Sequence, residues 1–537
     1  MNMQEARTIT VNQLGYPATG KKIAVFTSPT GPYQIINESG DTVYDGITTV
    51  ARFDPISGTT VCYGDFSDIT TKGKYQIKQG NATSSMFEIS SLPYQSLHHG
   101  LLKAFYFFRC GMELDEKFAG PWKHKACHTA EGIVHGEPDR KRDSSGGWHD
   151  AGDYGKYTVA AAKAIADLLL AYELYPSAFD QAIPIPETDG QTPDLLHECR
   201  YELEWLLKMQ DEKTGGVFHK LTTLRFPGLD VMPEDDHADL YFSPISATST
   251  GAFSAIMAIA ARIYRPFDSS FADLCLEKSV IAANWLENNL DVPGFTNPSD
   301  VHTGEYGDDQ DKDERYWAMA ELYRTTGKQK YHDAFLQLAQ QSFNKYSLGW
   351  ADVSAYGTLA YLLNGEKHTD PTLFATFKTG LIAEANTLVT KSETDGYLIS
   401  LSEQQYVWGS NMIVMNHAMI LLLAHHFTDD DIYEDCALEH VHYLLGRNVH
   451  DISFVTGFGD RSVMHPHHRP SVGDVVFEPV PGLVSGGPDR NLDDEYVRET
   501  LQGKSAAQCF VDHKESYSTN EVTIYWNSPA VFVVSVK

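Results

Sequence analysis

The segment Gly146-Gly147-Trp148-His149-Asp150-Ala151-Gly152-Asp153-Tyr154-Gly155-Lys156-Tyr157 sets two carboxylates three residues apart among glycines and aromatic rings. Glycine permits tight backbone paths, and aromatic rings exclude water and stack on sugar faces. Carboxylates so placed suit general acid–base work. The same spacing also suits a turn, a helix cap or a cation site, so the loop alone leaves its chemistry open.

A second block, Phe510-Val511-Asp512-His513-Lys514-Glu515-Ser516-Tyr517-Ser518-Thr519-Asn520-Glu521-Val522, ends where an apolar helix over 522–536 is expected. Glu521 would enter that helix. Partial desolvation there would raise its pKa and keep it protonated as an acid. An ordinary first-turn glutamate, favoured by the helix dipole, fits the same position. A third block carries His465, His467 and His468 around Pro466 and Pro470. Three histidines could ligate a metal, but the prolines hold an irregular loop that suits hydrogen bonding to a polar ligand. The spacing matches no standard zinc pattern.

Cys110, Cys127, His128 and His149 form C-x16-C-H-x20-H. Two thiolates and two imidazoles complete a tetrahedral zinc shell; two buried thiols and two cleft histidines are the alternative. His149 directly precedes Asp150, so a metal there would pin the carboxylate loop. The acidic run Glu305 to Glu314 precedes another expected helix. Such runs usually complement the helix dipole, but oxygen ligands at this density also suit calcium.

Together these blocks resemble glycoside hydrolase family 9, a family of inverting β-1,4-glucanases. The D-A-G-D loop is Asp150–Asp153 and the H-x-R loop is His467–Arg469. The late aromatic-x-D, aromatic-x-x-x-E and N-S pattern is Phe510, Asp512, Tyr517, Glu521, Asn527 and Ser528. The opening Val11-Asn12-Gln13-Leu14-Gly15-Tyr16-Pro17 resembles the immunoglobulin-like module that precedes the catalytic domain in one branch. The resemblance covers nearly the whole chain. It implies Asp153 as general base, Asp150 orienting or sharing the water, and Glu521 as general acid. It implies His467 and Arg469 on sugar hydroxyls, Trp408 as a stacking floor and Tyr517 lining the site. It also implies a structural zinc on Cys110, Cys127, His128 and His149. Calcium is implied at Asp313, Glu314 and Asp352, with Asp309 nearby. No organic cofactor is expected. Inversion requires the base and acid carboxyls to stand roughly 6.5–9.5 Å apart, leaving room for a water.

These groups need elements to position them. Residues 8–90 hold seven short runs rich in β-branched or aromatic residues: Thr8–Asn12, Lys22–Thr27, Tyr33–Asn37, Thr42–Tyr44, Thr59–Asp65, Gly73–Gln79 and Ser85–Ile89. They read as a β-sandwich. Ser90-Ser91-Leu92-Pro93 is a plausible boundary, giving an immunoglobulin-like sandwich over 1–92 and a catalytic domain over 93–537. Beyond it the period turns helical. Asp194–Gln210 places Leu195, Leu196, Cys199, Leu203, Leu206 and Leu207 on one face. Eleven similar stretches, from near 98–109 to 520–535, bring the count to about twelve, with little strand alternation between them. That number suits a closed double ring of helices, and the family resemblance implies an all-α (α/α)6 barrel.

The 537 residues carry 72 acidic and 42 basic side chains, a net charge of −30. Such a balance argues against nucleic acid and against an anionic membrane surface as partners. It suits a neutral or cationic substrate, or simply aids solubility. The first residues show neither the basic nor the apolar region of a secretory signal, and apolar stretches such as Met419–Ala424 are too short to span a bilayer. Seven scattered cysteines fit reduced thiols in a cytoplasm. Export after removal of a leader and the oligomeric state stay open. The leading expectation is an inverting endo-β-1,4-glucanase acting on glucan chains or oligosaccharides. Beside it stand an exo-acting β-glucosidase or β-glucosaminidase, and a non-catalytic sugar-binding protein, which the intact Asp150, Asp153 and Glu521 oppose.

Overall fold

The structure is a computed structural model that describes residues 5–536. It divides into two compact units, Met1–Ala104 with Ile382–Lys537, and Phe105–Leu381.

The first unit opens with strands β1 (Ile9–Thr10), β2 (Gly15–Pro17), β3 (Ile23–Phe26), β4 (Pro32–Asn37), β5 (Thr42–Ile47), β6 (Arg52–Asp54), β7 (Thr59–Asp65), β8 (Gly73–Gln79), β9 (Ala82–Thr83) and β10 (Phe87–Ser90). One sheet runs β1-β3-β7-β6; the other runs β2-β10-β8-β4-β5, with β9 paired to β8. Alternation sets the register: Tyr33 and Ile35 of β4 and Tyr75 and Ile77 of β8 point into a core shared with Phe26, Phe66 and Phe87. Three strands beyond the seven expected, β2, β6 and β9, are only two or three residues long, too short to show alternation in a sequence.

The turn before β2 explains the opening motif. Asn12 Oδ1 accepts from the N–H groups of Leu14 (2.9 Å) and Gly15 (3.1 Å), and its Nδ2 reaches Tyr94 Oη (3.2 Å) and His442 Nδ1 (3.0 Å). Gly15 has φ +144°, and a Cβ there would lie 2.0 Å from the Glu88 carbonyl oxygen, so only glycine fits. Gln13 donates its N–H to Leu445 O (2.9 Å) and accepts at Oε1 from the Arg461 N–H (2.8 Å). The sandwich is thereby bonded to residues C-terminal to 382 within the same unit. There, helices Ser410–Thr428, Asp431–Leu444 and Ile524–Val534 pack on one another. The last begins at Ile524, with Thr523 capping the Trp526 N–H at 3.0 Å. Glu521 therefore precedes the helix instead of opening it, and the dipole reading of this residue falls away.

The second unit holds helices Thr158–Leu174, Asp194–Met209, Ala247–Ile263, Ser269–Asn288, Lys312–Thr326, Gln329–Ala339 and Ser354–Leu363. Ala247–Ile263 is buried along almost its whole length, and its alanines let the neighbouring helices approach closely. With Gln95–Phe107 and Pro371–Thr394, the described residues contain twelve helices of ten or more residues. This unit also contains strands that helical periodicity did not announce. They are β11 (Gly132–Val134), β12 (Glu137–Arg142), β13 (Lys156–Tyr157), β14 (Val217–Phe218), β15 (Lys220–Thr222), β16 (Tyr241–Phe242) and β17 (Ile245–Ser246). Five form a sheet in the order β12-β11-β16-β15-β13, and β14 pairs with β17. That sheet carries the chain out of the carboxylate loop through β13 into helix Thr158–Leu174. No helix among the described residues is long and apolar enough to cross a membrane.

Candidate active site

The carboxylate loop is held from several sides. Residues 108–110 run beside 147–149: the Cys110 N–H donates to Gly147 O and the His149 N–H to Phe108 O, each at 2.7 Å. Buried Glu202 accepts the Trp148 N–H, and the Trp148 indole N–H donates to Glu198 Oε1 at 2.9 Å. Arg109, also buried, bridges Glu198 and Glu187. Within the loop, the Asp150 N–H donates to Gly155 O (2.9 Å), and the Gly155 N–H donates to Asp153 Oδ1 (2.6 Å). Both aspartates are buried, Asp150 at 1% exposure and Asp153 at 7%. Burial pushes the Asp150 carboxyl well above the ordinary range, the Tyr306 hydroxyl pulls it back, and the Asp153 charge pushes it up again.

Tyr306 Oη donates to Asp150 Oδ2 at 2.6 Å from a residue with φ +50°. A non-glycine residue in that region is strained, and strain of this kind concentrates where a side chain must be aimed. Sequence reasoning passed over Tyr306 because it sits inside the acidic run; its positive φ cannot be read from one sequence.

The ligand atoms of Cys110, Cys127, His128 and His149 lie within 4.8 Å of one another. The neighbouring Cys127 draws the Cys110 thiol well below its usual range, against burial and with help from Lys156 and His149. Cys127 Sγ stands 4.0 Å from His149 Nε2. His128 Nε2 meets Asp236 Oδ2 at 3.3 Å, while its buried Nδ1 has no hydrogen-bond partner. Burial opposes a charge on His128, but Asp236 and Cys110 outweigh it and lift its pKa to about 9. Two soft sulfurs and two imidazoles with an unused ring nitrogen fit a tetrahedral metal such as zinc, and a carboxylate behind one imidazole is the usual outer support. Asp236 lies far from the four ligands in sequence and carries no motif, so nothing in the sequence marked it.

The acidic run is more loosely arranged: among the described residues its carboxylates form no metal-holding cluster as tight as the cysteine–histidine group. Asp313 and Glu314 are buried in the first turn of helix Lys312–Thr326, and Asp313 Oδ2 accepts from the Val353 N–H at 2.8 Å. Both Glu314 carboxylate oxygens and Asp308 Oδ2 are buried without a hydrogen-bond partner. Burial and mutual repulsion lift Asp308 to about 7 and Asp313 to about 6. Asp352 adds to that repulsion, whereas Asp309 is exposed and its neighbour Asp308 turns inward. Acidic oxygens left bare in this way fit a hard cation such as calcium.

The other group lies in the first unit. His467 and Glu521 form a β-bridge, the His467 N–H donating to Asn520 O at 2.8 Å. Asp512 accepts the N–H groups of Met464 and His465, each at 2.8 Å, and Asn520 Nδ2 at 3.0 Å, so it fixes the loop that carries His467. Asn527 likewise clasps Val484 N–H and Gly482 O. Arg469 is buried at the start of the short helix Arg469–Gly473. The rings of Trp408 and Tyr517 stand 5.1 Å apart, and those of Tyr517 and His467 stand 5.9 Å apart. Trp408 is 43% exposed, which leaves an indole face open to stack. Among the described residues His465, His467 and His468 form no metal-holding cluster. His467 Nδ1 bonds Lys514 O and His468 Nδ1 bonds Ser471 Oγ.

Comparison with known proteins adds to this geometry. Residues 94–534 match the glycosyl hydrolase family 9 profile, and residues 4–84 match a cellulase N-terminal ig-like domain. A cellodextrinase of Butyrivibrio fibrisolvens is 37% identical over 98% of this chain and 99% of its own length. The crystal structure of a single-mutant thermostable endoglucanase from Alicyclobacillus acidocaldarius superposes with a TM-score of 0.93 at 40% identity over 99% of both chains. That of a zinc-binding triple mutant of a family 9 endoglucanase does so with 0.92 at 32% identity, over 97% of this chain and 99% of that one. The fold is accordingly an N-terminal immunoglobulin-like sandwich followed by an all-α domain of the (α/α)6-barrel class.

Proposed function

The chain belongs to glycosyl hydrolase family 9, and from that premise we propose that it hydrolyses β-1,4-linked glucan chains and oligosaccharides as an enzyme of endoglucanase type. The likeness to an endoglucanase over almost the entire chain carries this reading. Likeness to a cellodextrinase at full length favours soluble oligosaccharides among the substrates.

In the mechanism, Asp153 takes a proton from water. The water oxygen bonds to the anomeric carbon from the face opposite the leaving group. The glycosidic C–O bond breaks, and Glu521 delivers its proton to the departing oxygen. Asp150, aimed by Tyr306, orients the water. His467 and Arg469 bind sugar hydroxyls, and Trp408 with Tyr517 stacks on a sugar face. Cys110, Cys127, His128 and His149 would hold zinc. A shell closed by four protein ligands supplies structure and leaves no position for a reacting water. Asp308, Asp313, Glu314 and Asp352 would hold calcium. Residues 1–92 would form the accessory domain and 93–537 the catalytic one. Thiolate ligation needs reduced cysteines, which supports a cytoplasmic location.

One displacement on a β-bond yields an α-product. Proton NMR during early turnover of cellotetraose should show the α-anomer first, relaxing later to the equilibrium mixture. A β-anomer burst would mean a double displacement and would recast Asp153 as a nucleophile.

A further inference from the structure

Lys220 is a buried cation that the mechanism above leaves unused. It opens β15, directly after His219, and is fully buried. Its Nζ donates to Thr303 Oγ1 at 3.0 Å and to Gly304 O at 2.6 Å. No carboxylate lies within ion-pair distance of it among the described residues. A buried ammonium held only by neutral oxygens is costly unless negative charge stands nearby.

That charge comes from the carboxylate loop. Lys220 Nζ sits 5.6 Å from the centroid of the Tyr157 ring. Around Gly155, the point where a Cβ would stand is 2.8 Å from both Asp153 Oδ1 and Tyr157 Oη. The equivalent point on Gly304 is 3.2 Å from Tyr157 Oη. Asp153, Tyr157, Gly304 and Lys220 thus form one contiguous cluster around the Tyr157 side chain. Burial pushes Lys220 down to about 7, with Asp153 and then Glu305 holding it up. The other charged or titratable groups around it are accounted for. His219 bonds Ser246 and the Tyr306 carbonyl. Lys156 of β13 donates to Ser144 O and Gly146 O. Glu305 accepts the Asn297 N–H. Tyr306 is committed to Asp150, and Tyr241 of β16 lies on the neighbouring strand.

We propose that Lys220 is a positioning residue for the general base: its anchored ammonium keeps Asp153 ionised at the pH where the acid partner is still protonated. The inference rests on the assignment of Asp153 as base. Electrostatic coupling is reciprocal, so a carboxylate that sustains a buried ammonium is itself sustained by it. The sign matters for an inverting pair, because base and acid must carry opposite protonation states at one pH. The nearby Lys220 ammonium favours the ionised form of Asp153.

The test is the pH dependence of kcat/KM on cellotetraose for the wild type, Lys220→Gln, Lys220→Arg and Thr303→Val. The acid limb reports the free enzyme's base. In Lys220→Gln it should move to higher pH by about one unit, with the alkaline limb unmoved. Lys220→Arg should restore most of the shift. Thr303→Val, which only loosens the ammonium, should move the limb in the same direction by less, and it serves if the glutamine variant does not fold. A folded Lys220→Gln or Thr303→Val enzyme that loses turnover with its acid limb unmoved would make Lys220 merely structural and overturn the proposal. Asp153→Asn separates the two readings. If it keeps turnover, the base assignment itself falls; if it is inactive while the Lys220 limb stays put, only the present inference falls.

Discussion

Asp153 and Glu521 owe their proposed roles to different surroundings. Asp153 is buried, with its Oδ1 fixed by the Gly155 N–H. Glu521 is half-buried on an extended turn bridged to His467. Each amide keeps the size and shape of the carboxylate it replaces, so Asp153→Asn and Glu521→Gln should fold normally. Each should cut turnover by about 10²–10⁴-fold, the usual worth of a general base or acid. Steady-state rates with thermal unfolding as control decide it: near-normal turnover in either folded variant removes that residue from its role. The aspartates, the H-x-R loop and the late glutamate were visible in the sequence because each stands in a compact motif. Tyr306, Lys220, Asp236 and Asp308 were not. Their significance comes from chain segments remote in sequence that meet only in the fold, or from a backbone angle that no residue type announces.

Elements decide how firmly those residues are held. The twelve long helices were legible because an amphipathic or wholly apolar helix repeats its signal over several turns. The five-stranded sheet was not, since β13 and β16 have two residues each and β12, Glu-Pro-Asp-Arg-Lys-Arg, is charged at every position but its proline. The helix boundary near Glu521 was missed by two residues for a local reason: Thr523 caps the helix, a role its neighbours Val522 and Ile524 cannot take. The element that a zinc on the cysteine–histidine cluster would brace is the 147–153 loop, which carries His149. Cys127→Ser should weaken zinc binding, lower the unfolding temperature and reduce kcat through a looser Asp150–Asp153 loop. Elemental analysis of protein purified without added metal should find one zinc per chain in the wild type and less in the variant. A wild-type chain without zinc, or a variant with unchanged metal content and unfolding temperature, would separate the loop's rigidity from metal.

For the whole molecule, the sandwich and the C-terminal helices belong to one compact unit, although they lie at opposite ends of the chain. Their junction is polar and specific. Gln13 takes the Arg461 N–H, Arg7 and Arg461 both reach Asp451, and Arg447, fully buried, points an N–H at Ile23 O. Arg52 reaches the carbonyls of Thr394 and Asp395. Each such hydrogen bond contributes about 1 kcal/mol net, and several together are a large part of a domain's usual margin of about 5–15 kcal/mol. Arg461 also begins the stretch that leads to His467 and Arg469, so losing Gln13 should disturb substrate binding as well as stability. A chain lacking residues 1–92 should therefore unfold at a markedly lower temperature, or fail to accumulate in soluble form. Gln13→Ala in the full chain should show the same tendency in milder form, with KM for cellotetraose rising more than kcat falls. Calorimetry and steady-state kinetics on the pair test this. A truncated enzyme with the wild-type unfolding temperature and KM would show that the sandwich is an appendage, and that the 461–469 loop holds its own shape through Asp512 and Asn520 alone.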